Sequence, residues 1–425
     1  MLRVADLEAD DRAPAPLASA DMRRLIGDRL PARHFLFVTG PFGPFSTLLA
    51  SRLRAAGDRC TRILLNGGDI VDWGLGQAAV YAGPSTGWGA WIDAYMRLET
   101  VSDLIVFGDS HPYCAAAIEE ARRQNIRIHV LEEGYFRPHW ITLEREGVNG
   151  CSGLPRDPEA YRREASRRAP SEPASFGPAH GALSLRVFLY FFGFYAGRPF
   201  FRGFQQPYPY SPLRQGLAHT RKYLGRQVRA LIGGKPRDPV PARYFLVLLQ
   251  RPGDSQIVRH SPFGAVGEMI DQVMTSFAGH APPDARLLIK AHPLDHGIER
   301  HDQQIEQLAR SLGVGGRVSF IDDAPLDGLL GAAEGVVTVN STGGLTAIEL
   351  GKPTVALGCA IYDLPGLAHQ GGLDGFWSGP EAPDPALFDH FKRAVIGLTQ
   401  VNGAFASGKG ARVAADGVAA RILAD

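Results

Sequence analysis

The sequence predicts an α/β protein made of two doubly wound, Rossmann-like domains that face each other across a cleft. Two observations carry this reading. Short apolar strands alternate with amphipathic helical segments, and the rhythm occurs twice, on either side of a stretch that lacks it. Polar and charged residues also gather where the apolar strands end, which is where open parallel sheets bind ligands.

The elements follow in chain order. Residues 1–30 open with MLRVADLEADDRAPAPLASA, which has early acids and prolines and no apolar core. That is expected to be a flexible lead-in and not a signal peptide. The first domain is expected over 31–215. HFLFVTG (34–40) reads as a strand, GPFGPF (40–45) as a glycine-rich turn, and FSTLLASRLRAAG as a helix. Strands TRILLNGGD (61–69), DLIVFGD (103–109) and IRIHVLEEG (126–134) follow, with helix HPYCAAAIEEARRQN (111–125) among them. The second domain is expected over 216–402. Its strands are YFLVLLQ (244–250), ARLLIKAHP (285–293), RVSFID (317–322), VVTVN (336–340) and PTVALG (353–358). Its helices include GAVGEMIDQVMTSFAGHA (264–281), HDQQIEQLARSLG (301–313) and GGLTAIELG (343–351). Residues 403–425 read as a tail, and 155–240 as the end of the first domain plus a connection.

Composition narrows the function classes. A chain of 425 residues with 45% apolar and 21% charged content is expected to be soluble and globular. A net charge of +1 gives no global field for nucleic acid. Cys60, Cys114, Cys151 and Cys359 lack metal or disulfide spacing and suit a reducing cytoplasm. Val187 to Tyr195 is the longest apolar run, too short to span a bilayer, which takes about 20 residues. From Pro173 to Arg237 there is no acid, while arginines, lysines and an aromatic cluster recur. That mixture suits a membrane interface, although a segment packed between domains would read the same way.

The strand ends supply candidate chemistry. LEEG (131–134) ends an apolar strand in Glu132 and Glu133. A low-polarity cleft would raise a carboxyl pKa and make one of them a general acid/base. Adjacent strand residues alternate faces, so only one points inward, and Glu132 is taken first. QRPGD (250–254) holds Gln250 and Asp254 around a Pro-Gly turn, as a plain turn or as a nucleophile facing the glutamates. Double displacement needs two such carboxyls about 5 Å apart. KAHP (290–293) offers Lys290 and His292 to a phosphate, and NSTGG (340–344) offers Ser341, Thr342 and helix amides. Ordinary capping would explain the latter equally. Glu349 could accept ribose hydroxyls. In NGGD, Asn66 and Asp69 could bind sugar or glycerol hydroxyls, or form a plain turn. In FGDSHPY (107–113), Asp109 could bind substrate, while Asp109 or Ser110 as a helix cap is a sufficient explanation.

These residues bring a family into view. The sequence resembles the bacterial capsule polysaccharide biosynthesis family, in particular its short members of the KpsS type. The matching stretches include LLNGGD, FGDSHPY, LEEGYFRPHWITLEREGVNG, QRPGD, SQIVRHSPF, KAHPLDHG, VVTVNSTGGLTAIELGKPT and IYDLPGLAHQGGLDGFW, from about residue 36 to about 404. The resemblance implies a glycosyltransferase-B fold and retaining transfer of β-Kdo (3-deoxy-D-manno-oct-2-ulosonic acid) from CMP-Kdo, with no metal and no cofactor. Asp254 would be the nucleophile and a glutamate of EEG the acid/base. His292, Ser341 and Thr342 would hold the CMP phosphate, and Glu349 the ribose. The implied acceptor is a phosphatidylglycerol-type lipid, met at the inner face of the inner membrane, among other capsule synthesis and export proteins. Two departures bear on acceptor and sugar. His111 stands where family members often carry Arg, and Tyr208-Pro209-Tyr210-Ser211-Pro212-Leu213-Arg214 lacks the usual histidines.

Two other classes fit parts of the pattern. An inverting, sialyltransferase-like enzyme would use Glu132 or Glu133 as base and Asp254 only to position groups. A non-catalytic subunit of the export assembly would bind lipid or polymer through the aromatic–basic stretch.

Overall fold

The structure, a computed structural model, describes residues 32–168, 171–176, 180–206, 209–231, 240–322, 324–405 and 408–424. The expected lead-in over 1–30 lies outside the described residues, as do Tyr208, Lys235 and Arg237.

Two α/β sheets form the protein. The first contains β1 (His34–Val38), β2 (Arg59–Leu64), β3 (Ala78–Val80), β4 (Asp103–Phe107), β5 (Arg127–Glu133), β6 (Trp140–Arg145) and β12 (Gln400–Asn402), in the order β12-β6-β5-β4-β1-β2-β3. The second contains β7 (Tyr244–Leu248), β8 (Leu287–Lys290), β9 (Val318–Ile321), β10 (Ala333–Thr338) and β11 (Thr354–Ala356), in the order β11-β10-β7-β8-β9. Every pairing in the second sheet is parallel. β1 is buried at all of its positions because helices cover both faces. Phe35 and Phe37 pack with helices Phe45–Ala55 and Gly408–Ala424. Leu36 and Val38 pack with Trp88–Leu98 and Pro112–Arg123 on the other side. β7 repeats the device: Phe245 and Val247 meet helix Val266–His280, and Leu246 and Leu248 meet Leu326–Ala332.

Three expectations are corrected. The first sheet is not wholly parallel, since β6 and β12 pair antiparallel at its edge. Residues 403–425 are not a loose tail: β12 and helix Gly408–Ala424 return the chain to the first sheet and bury Ala411, Ala414, Val418 and Ile422 in its core. The second expected strand stops at Leu64, and NGGD enters helix Gly67–Trp73. The stretch 155–240 carries helices Pro158–Ser166, His180–Gly197 and Pro212–Leu231.

The two halves meet through a shared apolar cluster. Tyr135, Phe136, Trp140 and Tyr161 pack against Leu345, Ile348, Tyr362 and Phe391. This contact lies beside the end of β5 and fixes its position relative to the second sheet.

Candidate active site at the meeting of the two sheets

The end of β5 is set by its neighbours. Glu132 pairs with Thr142 and Glu133 with Ile141 in the antiparallel ladder. A Cβ at Gly134 would stand 2.1 Å from the Trp140 carbonyl oxygen, so only glycine lets the chain turn there. Adjacent residues alternate faces, and the two glutamates part company. Glu132 is half-buried, and its Oε2 accepts from Asn149 Nδ2 at 2.9 Å. Glu133 is the more exposed, and its backbone carbonyl accepts from the Thr142 hydroxyl.

Electrostatics separate them further. Burial raises the Glu132 pKa to about 8, and the charges of Asp109 and Asp254 add to the rise. Arg137 and the Asn149 hydrogen bond oppose it. Burial also raises Glu133, against Arg137, but neither aspartate acts on it. Glu132 is thus the carboxyl that senses a carboxylate of the second sheet. Asp254 sits at the end of a turn closed by its own N–H to the Arg251 carbonyl, with Gly253 at φ +74°.

Asp109 lies between the halves. Its carboxylate accepts from the Val148 N–H at 3.0 Å and the Ser110 hydroxyl at 2.8 Å, and His260 Nε2 lies 3.5 Å away. Burial would raise its pKa, but His260, Val148 and Ser110 outweigh burial and hold it below the usual carboxylate range. Asp109, Cys151 and His260 present ligand atoms within 4.8 Å of one another. Ser110 Oγ, however, lies 3.2 Å from His260 Nε2, and both Asp109 oxygens already have partners.

The second sheet contributes a cationic face. Burial, then Arg251, Lys290 and Arg137, lowers the His292 pKa to about 4. His292 Nδ1 accepts from the Leu294 N–H, so a neutral ring carries its proton on Nε2 and can donate it. Ser341 caps helix Thr342–Glu349, accepting from the Gly343 N–H at 3.1 Å. Gly344 lies where a Cβ would stand 2.3 Å from Tyr362 Oη, and that hydroxyl donates to the Ser341 carbonyl. Gln250 is buried, donates to Asn340 Oδ1 at 2.8 Å, and leaves its Oε1 without a hydrogen-bond partner among the described residues. Glu349 ends the same helix on the surface, 2.5 Å from Lys392 Nζ.

Some expected site residues are engaged elsewhere. Asn66 and Asp69 form a reciprocal capping box. Both are buried; Asp69 also takes Arg62, and Asn66 donates to Tyr190 Oη. The stretch is a helix start and not the expected plain turn, and the polar groups of both side chains are already bonded within the protein. The cap of helix Pro112–Arg123 is His111, whose Nδ1 accepts from the Tyr113 N–H, and neither Asp109 nor Ser110 fills that role. Sequence reasoning missed Arg137, Asn149, Arg251 and His260. Each lies within one of the quoted matching stretches, in a loop or helix beside a strand end, where periodicity carries no signal for a site residue.

The family model for "Capsule polysaccharide biosynthesis protein" matches residues 102–186 and 202–406, which hold every group of this site. The chain belongs to the capsule polysaccharide biosynthesis family. The capsule polysaccharide export protein KpsS of Escherichia coli is 33% identical over 380 residues, 88% of this chain and 97% of that protein. The capsule polysaccharide modification protein LipB of Neisseria meningitidis serogroup B is 31% identical over 386 residues, 88% and 92% of the respective chains. Among solved structures, the beta Kdo 2,7 transferase KpsC of Thermosulfurimonas dismutans covers 92% of this chain and 99% of that chain, at a TM-score of 0.46 and 13% identity.

Proposed function

We propose that this family member is a retaining glycosyltransferase that moves β-Kdo from CMP-Kdo to a phosphatidylglycerol-type lipid, starting the linker of a capsular polysaccharide. The observation that carries the reading is Glu132: a carboxyl whose pKa is raised to about 8 and which feels Asp254 from the other sheet. Double displacement uses one carboxyl as nucleophile and a second as acid/base, and Asp254 and Glu132 are the proposed pair.

The steps then follow. The Asp254 carboxylate attacks the anomeric carbon as the bond to the CMP phosphate oxygen breaks, and CMP leaves with that electron pair. Lys290, Arg251 and the His292 Nε2–H offset the negative charge on the departing phosphate. Ser341, Thr342 and the helix amides hold the phosphate, Gln250 offers its unpartnered oxygen, and Glu349 takes the ribose in exchange for Lys392. Glu132, as carboxylate, then removes the proton of an acceptor hydroxyl while that oxygen displaces Asp254. Two inversions leave the configuration retained.

The acceptor side fits a lipid. Helix His180–Gly197 exposes Leu185, Phe188, Leu189 and Phe192 at helical spacing, and Pro212–Leu231 exposes Leu213, Leu217, Leu224 and Val228. Arg186, Arg198, Arg202, Arg214 and Arg221 are exposed on or beside them. Among the described residues no helix is long and apolar enough to cross a membrane. Such a surface suits peripheral binding to anionic lipid at the inner face of the inner membrane.

The test is incubation of the pure protein with CMP-Kdo and phosphatidylglycerol, read by mass spectrometry of the lipid. Asp254→Ala is expected to abolish transfer while calorimetry still detects CMP binding. Retained turnover in that variant would overturn double displacement, and failure of the wild type to bind CMP would favour an export role of the kind named for KpsS.

A further inference from the structure

We infer that Asn149 is a positioning residue for Glu132: its side-chain amide, held on a strut of hydrogen bonds anchored in the buried pair Tyr135 and Glu144, fixes the orientation and protonation of that carboxyl. This rests on Glu132 being the acid/base. Asn149 Nδ2 donates to Glu132 Oε2 at 2.9 Å. The Asn149 backbone N–H donates to Tyr135 Oη at 2.9 Å, and the Tyr135 hydroxyl donates to Glu144 Oε1 at 2.7 Å. The Ser152 hydroxyl donates to the other Glu144 oxygen. Tyr135 and Glu144 are buried and the bond between them is shielded from competing water, while the bonds made by Asn149 and Ser152 are part-buried.

Backbone geometry supports the assignment. Asn149 has φ +53°, in the left-handed region that asparagine and glycine tolerate best. That conformation lets consecutive residues serve different partners. The Val148 N–H goes to Asp109, Asn149 goes to Glu132 and Tyr135, and Gly150 lies where a Cβ would stand 2.4 Å from His260 Nδ1. The amide therefore reaches Glu132 from a loop held at both its flanks. The charged or titratable groups that also act on Glu132 are Asp109 and Asp254, which oppose its ionisation, and Arg137, which favours it; Tyr135 in turn senses Glu132. Asn149 adds a neutral donor to the ionised form, the form that must take the acceptor's proton.

Asn149→Gly keeps the left-handed backbone and removes the amide, while Asn149→Asp keeps the shape and replaces the donor with an acceptor. The readout is the pH profile of lipid glycosylation from CMP-Kdo. The rate of the native protein is expected to rise with pH to a limb near 8. In both variants the limb is expected to move up by about one unit, further in Asn149→Asp, so that the rate below the limb falls roughly tenfold and recovers above it. CMP affinity is expected to stay unchanged. Tyr135→Phe, which cuts the strut one bond further back, is expected to move the limb in the same direction. A limb that stays in place in both Asn149 variants, or a loss uniform across pH, would overturn the inference. Glu132→Gln separates the two readings. If it abolishes the limb while the Asn149 variants leave it fixed, positioning alone fails; if it keeps the native rate and limb, the acid/base role fails and the inference with it.

Discussion

Glu132 and Glu133 are neighbours in sequence with opposite fates. The pleat puts Glu132 under the charges of Asp109 and Asp254 and keeps Glu133 from them, while Arg137 acts on both. Removing a general base costs about 10²–10⁴ in rate, so Glu132→Gln is expected to lower turnover by that order and Glu133→Gln by much less, in a steady-state assay. The same burial carries a stability cost. A carboxyl whose folded pKa is raised keeps its proton in the folded state while the unfolded chain has lost it. Its contribution is therefore lost as pH rises from about 4.5 to about 8. Glu144, raised to about 7 by burial against its bonds from Ser152 and Tyr135, behaves likewise. Glu132→Gln is expected to stabilise the protein at pH 8.5 by on the order of 2 kcal/mol and to change little at pH 4, as denaturant titration at the two pH values would report.

Helix His180–Gly197 has two unlike faces. One is docked by close backbone contact: a Cβ at Gly67 would stand 2.1 Å from the Gly193 carbonyl, and one at Gly197 would stand 2.7 Å from Gly67 Cα. Tyr190 adds its hydroxyl to Asn66 and Asp69. Gly67→Ala is therefore expected to destabilise by about 1–3 kcal/mol in denaturant unfolding, since the helix must shift outward. The other face carries Phe188 and Phe192, each 65% exposed. Replacing both by serine is expected to reduce co-sedimentation with phosphatidylglycerol vesicles about tenfold or more, without lowering the melting temperature. Binding to those vesicles is also expected to weaken between 0.1 M and 0.5 M salt, because exposed arginines act through a screened field. Unchanged co-sedimentation of the double variant would place the lipid contact elsewhere.

At the scale of the whole molecule, the last helix belongs to the first sheet. Gly408–Ala424 shares a core with Phe35, Phe37, Leu49 and Leu53, and β12 extends the edge beyond β6. Ending the chain at residue 402 is expected to abolish the cooperative unfolding transition of the first half, as seen by circular dichroism, since that core would open to water.

What the sequence determined by itself was the local grammar. Strand and helix order is legible because β7 and, after His34, β1 are continuous apolar runs that sit between amphipathic helices, a pattern set by covered parallel sheets. The strand-end residues Glu132, Asp254, Lys290, His292 and Ser341 are legible because open sheets expose their carboxyl ends. Tertiary structure alone decided which of them feel one another's charge. NGGD became a capping box because Asp69 found Arg62 and its own backbone, and the 403–425 stretch became core because alanines fit closely against β1. The raised pKa of Glu132 comes first from burial and then from Asp109 and Asp254, the latter more than a hundred positions away in sequence. Local propensity acts between near neighbours, whereas desolvation and charge act through space, and only the folded chain sets those distances.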